Sequence, residues 1–137
     1  LDSKTCPCAN ASFANGTSIE VLIPHTDGLK LMGLSATRPL AETQGMLFVY
    51  ERDDFWGIWM KDMHYPIDII WLDESMRIVH IEPGVAPSTY PHVFSPPVPA
   101  RYILEVAAGV AEKNNLRLCD SVFCDVPLDN PDRFVPG

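Results

Sequence analysis

Pro66-Ile67-Asp68-Ile69-Ile70-Trp71-Leu72-Asp73-Glu74-Ser75-Met76-Arg77-Ile78-Val79-His80-Ile81-Glu82 is the stretch that decides the fold class. Ile67 to Leu72 is a short apolar run with Asp68 set inside it, and Pro66 marks its start. Asp73-Glu74-Ser75 supplies turn chemistry, and Arg77 to Glu82 alternates polar with apolar as a return strand should. The stretch therefore reads as a β-hairpin. Working outward, Ser18 to Ile23, Met46 to Tyr50, Phe55 to Met60, Arg101 to Val106 and Leu118 to Val126 read as further short strands. Residues 27–37 and 109–114 suit short helical turns. Asp53-Asp54 reads as a turn. Six prolines fall within 83–99, at positions 83, 87, 91, 96, 97 and 99, so that segment is expected to be an ordered loop. Six to seven short strands with one or two short helices predict a mainly β fold, either a compact β-barrel or a jelly-roll-like sandwich.

The chain has 137 residues, enough for one domain and one core. Within it, 1–17 reads as a polar tail, 18–126 as the β domain, and 127–137 as a Pro-rich tail. Eighteen Asp and Glu against ten Lys and Arg leave a formal charge of −8, which argues against a nucleic-acid partner. No apolar run approaches the ~18 residues needed for a membrane-spanning helix. The chain opens at Leu1 rather than Met, and a removed signal peptide is the expectation.

Gly45 to Tyr50, Trp59-Met60-Lys61-Asp62-Met63, Pro66 to Trp71, Ala100 to Val106 and Gly109 form an ordered set of blocks. In that order and spacing they resemble the DUF192 domain, a bacterial and archaeal family of unknown function, over roughly residues 18–126. Leu31-Met32-Gly33-Leu34 looks like an altered form of the family's Gly-Leu-Met segment. The resemblance implies a small β-rich fold, often exported or membrane-tethered, with no established reaction. Where the family usually has Gly-Asp before its last strand, this chain has Cys119-Asp120. Cys119, Cys124 and the leading Cys6-Pro7-Cys8 look like additions peculiar to it.

Four cysteines at the two ends invite a metal reading, but Cys-x-Cys and Cys-x4-Cys both depart from the Cys-x2-Cys zinc knuckle. The favoured reading is two disulfides, with Cys6 and Cys8 each paired to Cys119 or Cys124, because a Cys6–Cys8 bond is strained. Zinc thiolates and free thiols are the alternatives. Disulfides would place the chain in an oxidising, extracytoplasmic compartment.

Lys61, Asp68, Arg101 and Glu105 are the ionisable residues of the family-like blocks. Alternation allows the two carboxylates to share a face with a cation, either as a site with a shifted pKa or as a buried ion pair that fixes register. The second reading is favoured, because no nucleophile–base pair is visible. His25, His64, His80 and His92 form no metal spacing, and there is no Gly-x-Ser-x-Gly elbow, phosphate loop or dinucleotide fingerprint. No cofactor or metal is expected. Among the aromatics, Trp59 and Trp71 are expected inside and Trp56 near the surface, where it suits sugar stacking or a protein contact. Asn10-Ala11-Ser12 and Asn15-Gly16-Thr17 match the glycosylation pattern in an accessible tail.

Polar tails fray unless pinned, so disulfides or a neighbouring copy are expected to hold them. The sequence thus predicts a secreted or cell-surface domain that binds an extracellular ligand or assembles with itself, without catalysis. A small hydrolase-like enzyme using Lys61, Asp68, Arg101 and Glu105 is the alternative.

Overall fold

The computed structural model describes residues 8–24 and 39–125. Nine strands are present in that part: β1 (Cys8–Ser12), β2 (Ser18–Leu22), β3 (Gln44–Asp54), β4 (Ile58–Trp59), β5 (Ile67–Leu72), β6 (Ile78–Val85), β7 (Val93–Phe94), β8 (Ala100–Ala107) and β9 (Phe123–Cys124). A single helical turn, α1 (Val110–Lys113), follows β8, and a 3-10 turn spans Pro87–Thr89. The mainly β expectation holds.

Seven strands form one curled sheet in the order β6-β5-β8-β3-β2-β1-β9, while β4 and β7 pair separately. All neighbours are antiparallel except β2 and β3. The two sheet edges are drawn together by the segment between α1 and β9. There Ile78 donates to the Asp120 carbonyl at 2.9 Å, Cys119 to the Ile78 carbonyl at 2.8 Å, and Val122 to the Met76 carbonyl at 2.9 Å. Curling gives the sheet an inner face, lined by residues such as Val21, Leu47, Ile70, Leu104 and Val122. Its outer face carries Met46, Phe48, Ile69, Trp71 and Ile103, covered by Trp56, Ile58, Met63 and Phe94 from the loops and the small sheet. The central strand β5 is buried along its whole length. An uninterrupted apolar run is what burial on both faces requires.

The β5–β6 hairpin forms as read. Asp73 Oδ1 accepts from Ser75 and Arg77, and Met76 takes the left-handed φ of 62° that closes the turn. Several boundaries differ from the reading. β3 runs through the supposed turn to Asp54, with an irregularity between Val49 and Asp54. The strand expected over 55–60 shrinks to Ile58–Trp59, and that expected over 118–126 to Phe123–Cys124. The stretch read as a tail holds β1, from which the small Ala11 enters the core, followed by Phe13. Alanines at alternate positions give only a weak hydrophobic period. The helical turn expected at 27–37 and the tail 127–137 lie outside the described residues.

Candidate functional site on the outer face of the sheet

Strand register fixes where the predicted polar residues go. Asp68 pairs with Val106, whereas Glu105 pairs with Ile69 on one side and Met46 on the other. Residues directly opposite one another share a face, so Asp68 points inward and Glu105 outward. The expectation that the two carboxylates share a face is therefore corrected by a register offset of one residue.

Asp68 is 1% exposed and fully occupied. Its Oδ1 accepts from the Gly84 N–H at 2.8 Å, and its Oδ2 from Gly109 at 3.1 Å and Ala111 at 2.9 Å. Gly84 and Gly109 have φ of 56° and 97°, conformations that favour glycine. The carboxylate thus ties the bulge in β6 to the start of α1. This is a structural role.

Glu105 is 4% exposed, and among the described residues nothing hydrogen-bonds its carboxyl. Burial pushes its pKa up to about 8, so the group is mostly uncharged at neutral pH. Tyr50 shares the outer face, and burial followed by the charge of Glu105 pushes its phenol up to about 12. A row crosses five strands at this level: Leu22, Met46, Glu105, Ile69 and Glu82. Glu82 stands two strands from Glu105, roughly 10 Å between backbones. It is joined at 2.7 Å to Nε2 of His80, whose ring lies 5.4 Å from that of the buried Trp71. Sequence reading placed His80 among histidines without metal spacing and Glu82 at the end of a strand, and did not pair them. Counting back from the turn would have found them, since the hairpin register sets His80 beside Trp71 and Glu82 beside Ile69.

The other predicted cations do not join this row. Arg101 lies on the same face but four residues along β8, where its Nε donates to Asp53 at 2.8 Å. Lys61 sits with its Nζ 5.7 Å from the centroid of the Trp59 ring. Lys61, Asp68, Arg101 and Glu105 are thus distributed over separate places rather than brought together.

The aromatic assignments are partly exchanged. Trp71 is buried as expected, its indole N–H donating to the Trp56 carbonyl at 2.8 Å. Trp56 is half-buried, stacked on Tyr50 at 4.2 Å with Arg52 over its ring at 5.0 Å. Trp59 is the exposed one. In the β4–β7 sheet Ile58 pairs with Phe94 and turns to the core, so the next pair, Trp59 and Val93, faces solvent. Trp59 is 46% exposed and Val93 51%. Tyr90, 44% exposed, tilts against Trp59 with ring centroids 5.3 Å apart. Gly57 permits this ledge, because a Cβ there would meet Val93 Cγ1 at 2.7 Å.

Of the expected cysteine pairings, strand register bears on one, Cys8 with Cys124. Cys119 is an exposed free thiol in the turn beside β6. Cys124 packs against the inner core. Cys8 lies three residues along β1 from Ala11, the partner of Cys124, which is roughly 10 Å of strand. A disulfide spans at most about 7 Å between Cα atoms, so strand register keeps Cys8 and Cys124 apart. Cys6 lies outside the described residues. Asn10 is engaged by Asp125, to which its side-chain nitrogen donates at 3.0 Å, while Asn15 stands in an exposed turn closed by Gly16. Among the described residues no group of three or more His, Cys, Asp or Glu is placed to hold a metal ion. No helix among them is long and apolar enough to cross a membrane.

A small curled β domain with a buried carboxyl on its outer face and an aromatic ledge beside it is the class these features define. The family model of DUF192, described as an "Uncharacterized ACR", matches residues 10–123, and the chain belongs to that family. No curated protein matches it. Among solved structures, the chain is similar to a candidate transcription regulator from Sinorhizobium meliloti 1021. The TM-score is 0.78 at 21% identity, covering 90% of this chain and 97% of that one. It is also similar to a protein of unknown function from Novosphingobium aromaticivorans DSM 12444. There the TM-score is 0.77 at 21% identity, covering 86% of this chain and 84% of that one. At such identity the likeness speaks for the fold.

Proposed function

We propose that this chain is a non-catalytic binding module working outside the cytoplasm, with the Trp59–Tyr90–Val93 ledge as its contact surface. The carrying observation is the exposure of three large side chains together on a sheet whose other side is committed to the core. Aromatic side chains that are both large and amphipathic supply most of the energy at contact sites. Self-assembly by strand addition finds less support than a side-chain contact. The outer strand β6 carries Pro83, which has no N–H to donate, and its Gly84 N–H is turned to Asp68. Two register shifts also break its pairing with β5. Such features blunt a sheet edge. The regulator description belongs to the Sinorhizobium protein, and a charge of −8 on this chain does not favour a phosphate backbone.

A photo-crosslinker placed at Val93, in the protein exported by its native host, tests the reading. A discrete adduct at Val93, absent from a crosslinker at Glu112 and lost with Trp59→Ser, is expected. Light scattering then tells a second copy from another partner. Identical adducts from both positions, or none, would overturn the ledge as contact surface.

A second reading, a small hydrolase-like enzyme, draws on one observation. Glu105, holding its proton, shares a face with the His80–Glu82 pair, and carboxyl and imidazole groups are what acid–base chemistry uses. It lacks the convergent Lys61 and Arg101 that the sequence suggested.

A further inference from the structure

We propose that the Trp59–Tyr90 ledge binds an acidic polysaccharide, with the face of one hexuronic acid unit stacked on Trp59 and the carboxylate of that unit on the Lys61 ammonium. That occupant presupposes the ledge as contact surface and gives it a chemistry. The indole N–H groups set Trp59 apart. Trp56 donates to the Arg52 carbonyl at 3.1 Å and Trp71 to the Trp56 carbonyl at 2.8 Å, whereas the Trp59 N–H has no acceptor among the described residues. The Tyr90 hydroxyl makes no hydrogen bond among them either. Cations divide in the same way. Arg52 is paired with Asp54, Arg101 with Asp53 and Lys113 with Glu42. Lys61 is exposed and has no ion pair among the described residues, not even with its chain neighbour Asp62. Its Nζ stands 5.7 Å from the Trp59 ring centroid.

An occupant of this ledge needs an apolar face for the rings, acceptors for the indole and hydroxyl groups, and an anion for the ammonium. A hexuronate unit carries all three: C–H groups on one face of its ring, oxygens around the rim, and a carboxylate at one edge. Stacked about 4 Å above the indole, at van der Waals contact, it brings that carboxylate within reach of Lys61. Tyr90, tilted 51° to Trp59 with centroids 5.3 Å apart, offers a second ring to the next unit of a twisted chain.

Size and shape favour a sugar over a protein. A protein interface takes about 20–30 residues a side, whereas the ledge is three side chains on and beside a two-residue strand pair. A proline-rich peptide docks in an aromatic-lined groove, but Trp59 and Val93 stand on the open face of the pair. Ring stacking needs only such an exposed face. The chain's overall charge of −8 does not cancel the local attraction. Charges more than about 8 Å away are largely screened at physiological ionic strength, and the sugar carboxylate meets Lys61 directly.

The test is nitrogen-15 NMR of the full chain titrated with sodium tetragalacturonate and tetramannuronate, beside the full methyl ester of the former and tetra-aspartate. Saturable movement of the Trp59 indole cross-peak is expected, while those of Trp56 and Trp71 stay in place. Trp59→Ser identifies the peak by its loss and should abolish binding, read on the remaining amides. Lys61→Gln, at an exposed position, should weaken binding about two- to fivefold, the worth of an exposed ion pair, and remove its dependence on salt. The methyl ester should bind the wild type as weakly as the free acid binds Lys61→Gln. No saturable movement with either uronate, equal binding of tetra-aspartate, or undiminished binding by Lys61→Gln would each overturn the acidic sugar. A failed titration beside a protein adduct at Val93 would overturn the sugar and leave the ledge as contact surface, whereas the lack of any Val93 adduct would overturn both.

Discussion

Asp68 and Glu105 are two acidic residues on adjacent central strands, each inside an apolar run and each almost wholly buried. On the inner face, Asp68 gathers three backbone N–H groups from two glycine turns. On the outer face, Glu105 gathers none among the described residues and keeps its proton to about pH 8. The difference is one residue of register. It teaches that a carboxyl in a strand is structural or chemically available according to which side meets backbone donors, since burial alone is common to both.

The largest expected effect lies on the inner face. Asp68→Ala removes the acceptor of three N–H groups, of which that of Ala111 is left buried at about 1–3 kcal/mol, while those of Gly84 and Gly109 are part-buried and lose their tie to the sheet. It should destabilise the domain by several kcal/mol in denaturant melts, or prevent its expression as a folded chain. A variant with near-native stability would break the contrast from the Asp68 side.

The outer face should respond to pH instead. Folded Glu105 releases its proton at a higher pH than in the unfolded chain, whose ordinary value is 4.5. Its contribution is therefore fully present below about pH 4.5 and is lost as pH rises to about 8. Across that window it lowers stability by up to about 1.4 kcal/mol per pH unit, a few kcal/mol in all. Glu105→Gln, which stays neutral, should flatten this slope and exceed the wild type above pH 8. Parallel curves for the two proteins would contradict the assignment.

Smaller effects are expected at the ledge. Gly57→Ala places a Cβ against Val93 Cγ1 and should cost about 1 kcal/mol as the β4–β7 pair shifts. Trp59→Ser, at an exposed position, should change stability by less than about 1 kcal/mol while removing the contact surface. A large loss of stability there would make Trp59 a core residue after all.

Much of this contrast was legible in the sequence, and the remainder was hidden for identifiable reasons. Ile67 to Glu82 declared itself as a hairpin because turn chemistry at Asp73 and the apolar run agree. β1 was obscured because its residues at alternate positions, Ala9 and Ala11, are small and give a weak hydrophobic period. Trp59 was misplaced because the strand around it is two residues long, too short for alternation to reveal a face. The separation of Asp68 from Glu105 depends on a pairing between strands 37 residues apart along the chain (105 − 68), which periodicity within either strand does not contain. Of the expected cysteine pairings, the β1–β9 register bears on Cys8 with Cys124 alone, and that register too lies between strands far apart in the chain.

The most direct measurement is the titration of the Glu105 side-chain carboxyl by carbon-13 NMR in the folded protein. The account predicts a midpoint near pH 8, with Asp68→Ala too unstable to serve as a reference and Glu105→Gln identifying the resonance by its loss. A midpoint close to 4.5, the value of an ordinary glutamate, would show that Glu105 is already partnered and would remove the distinction between the two faces.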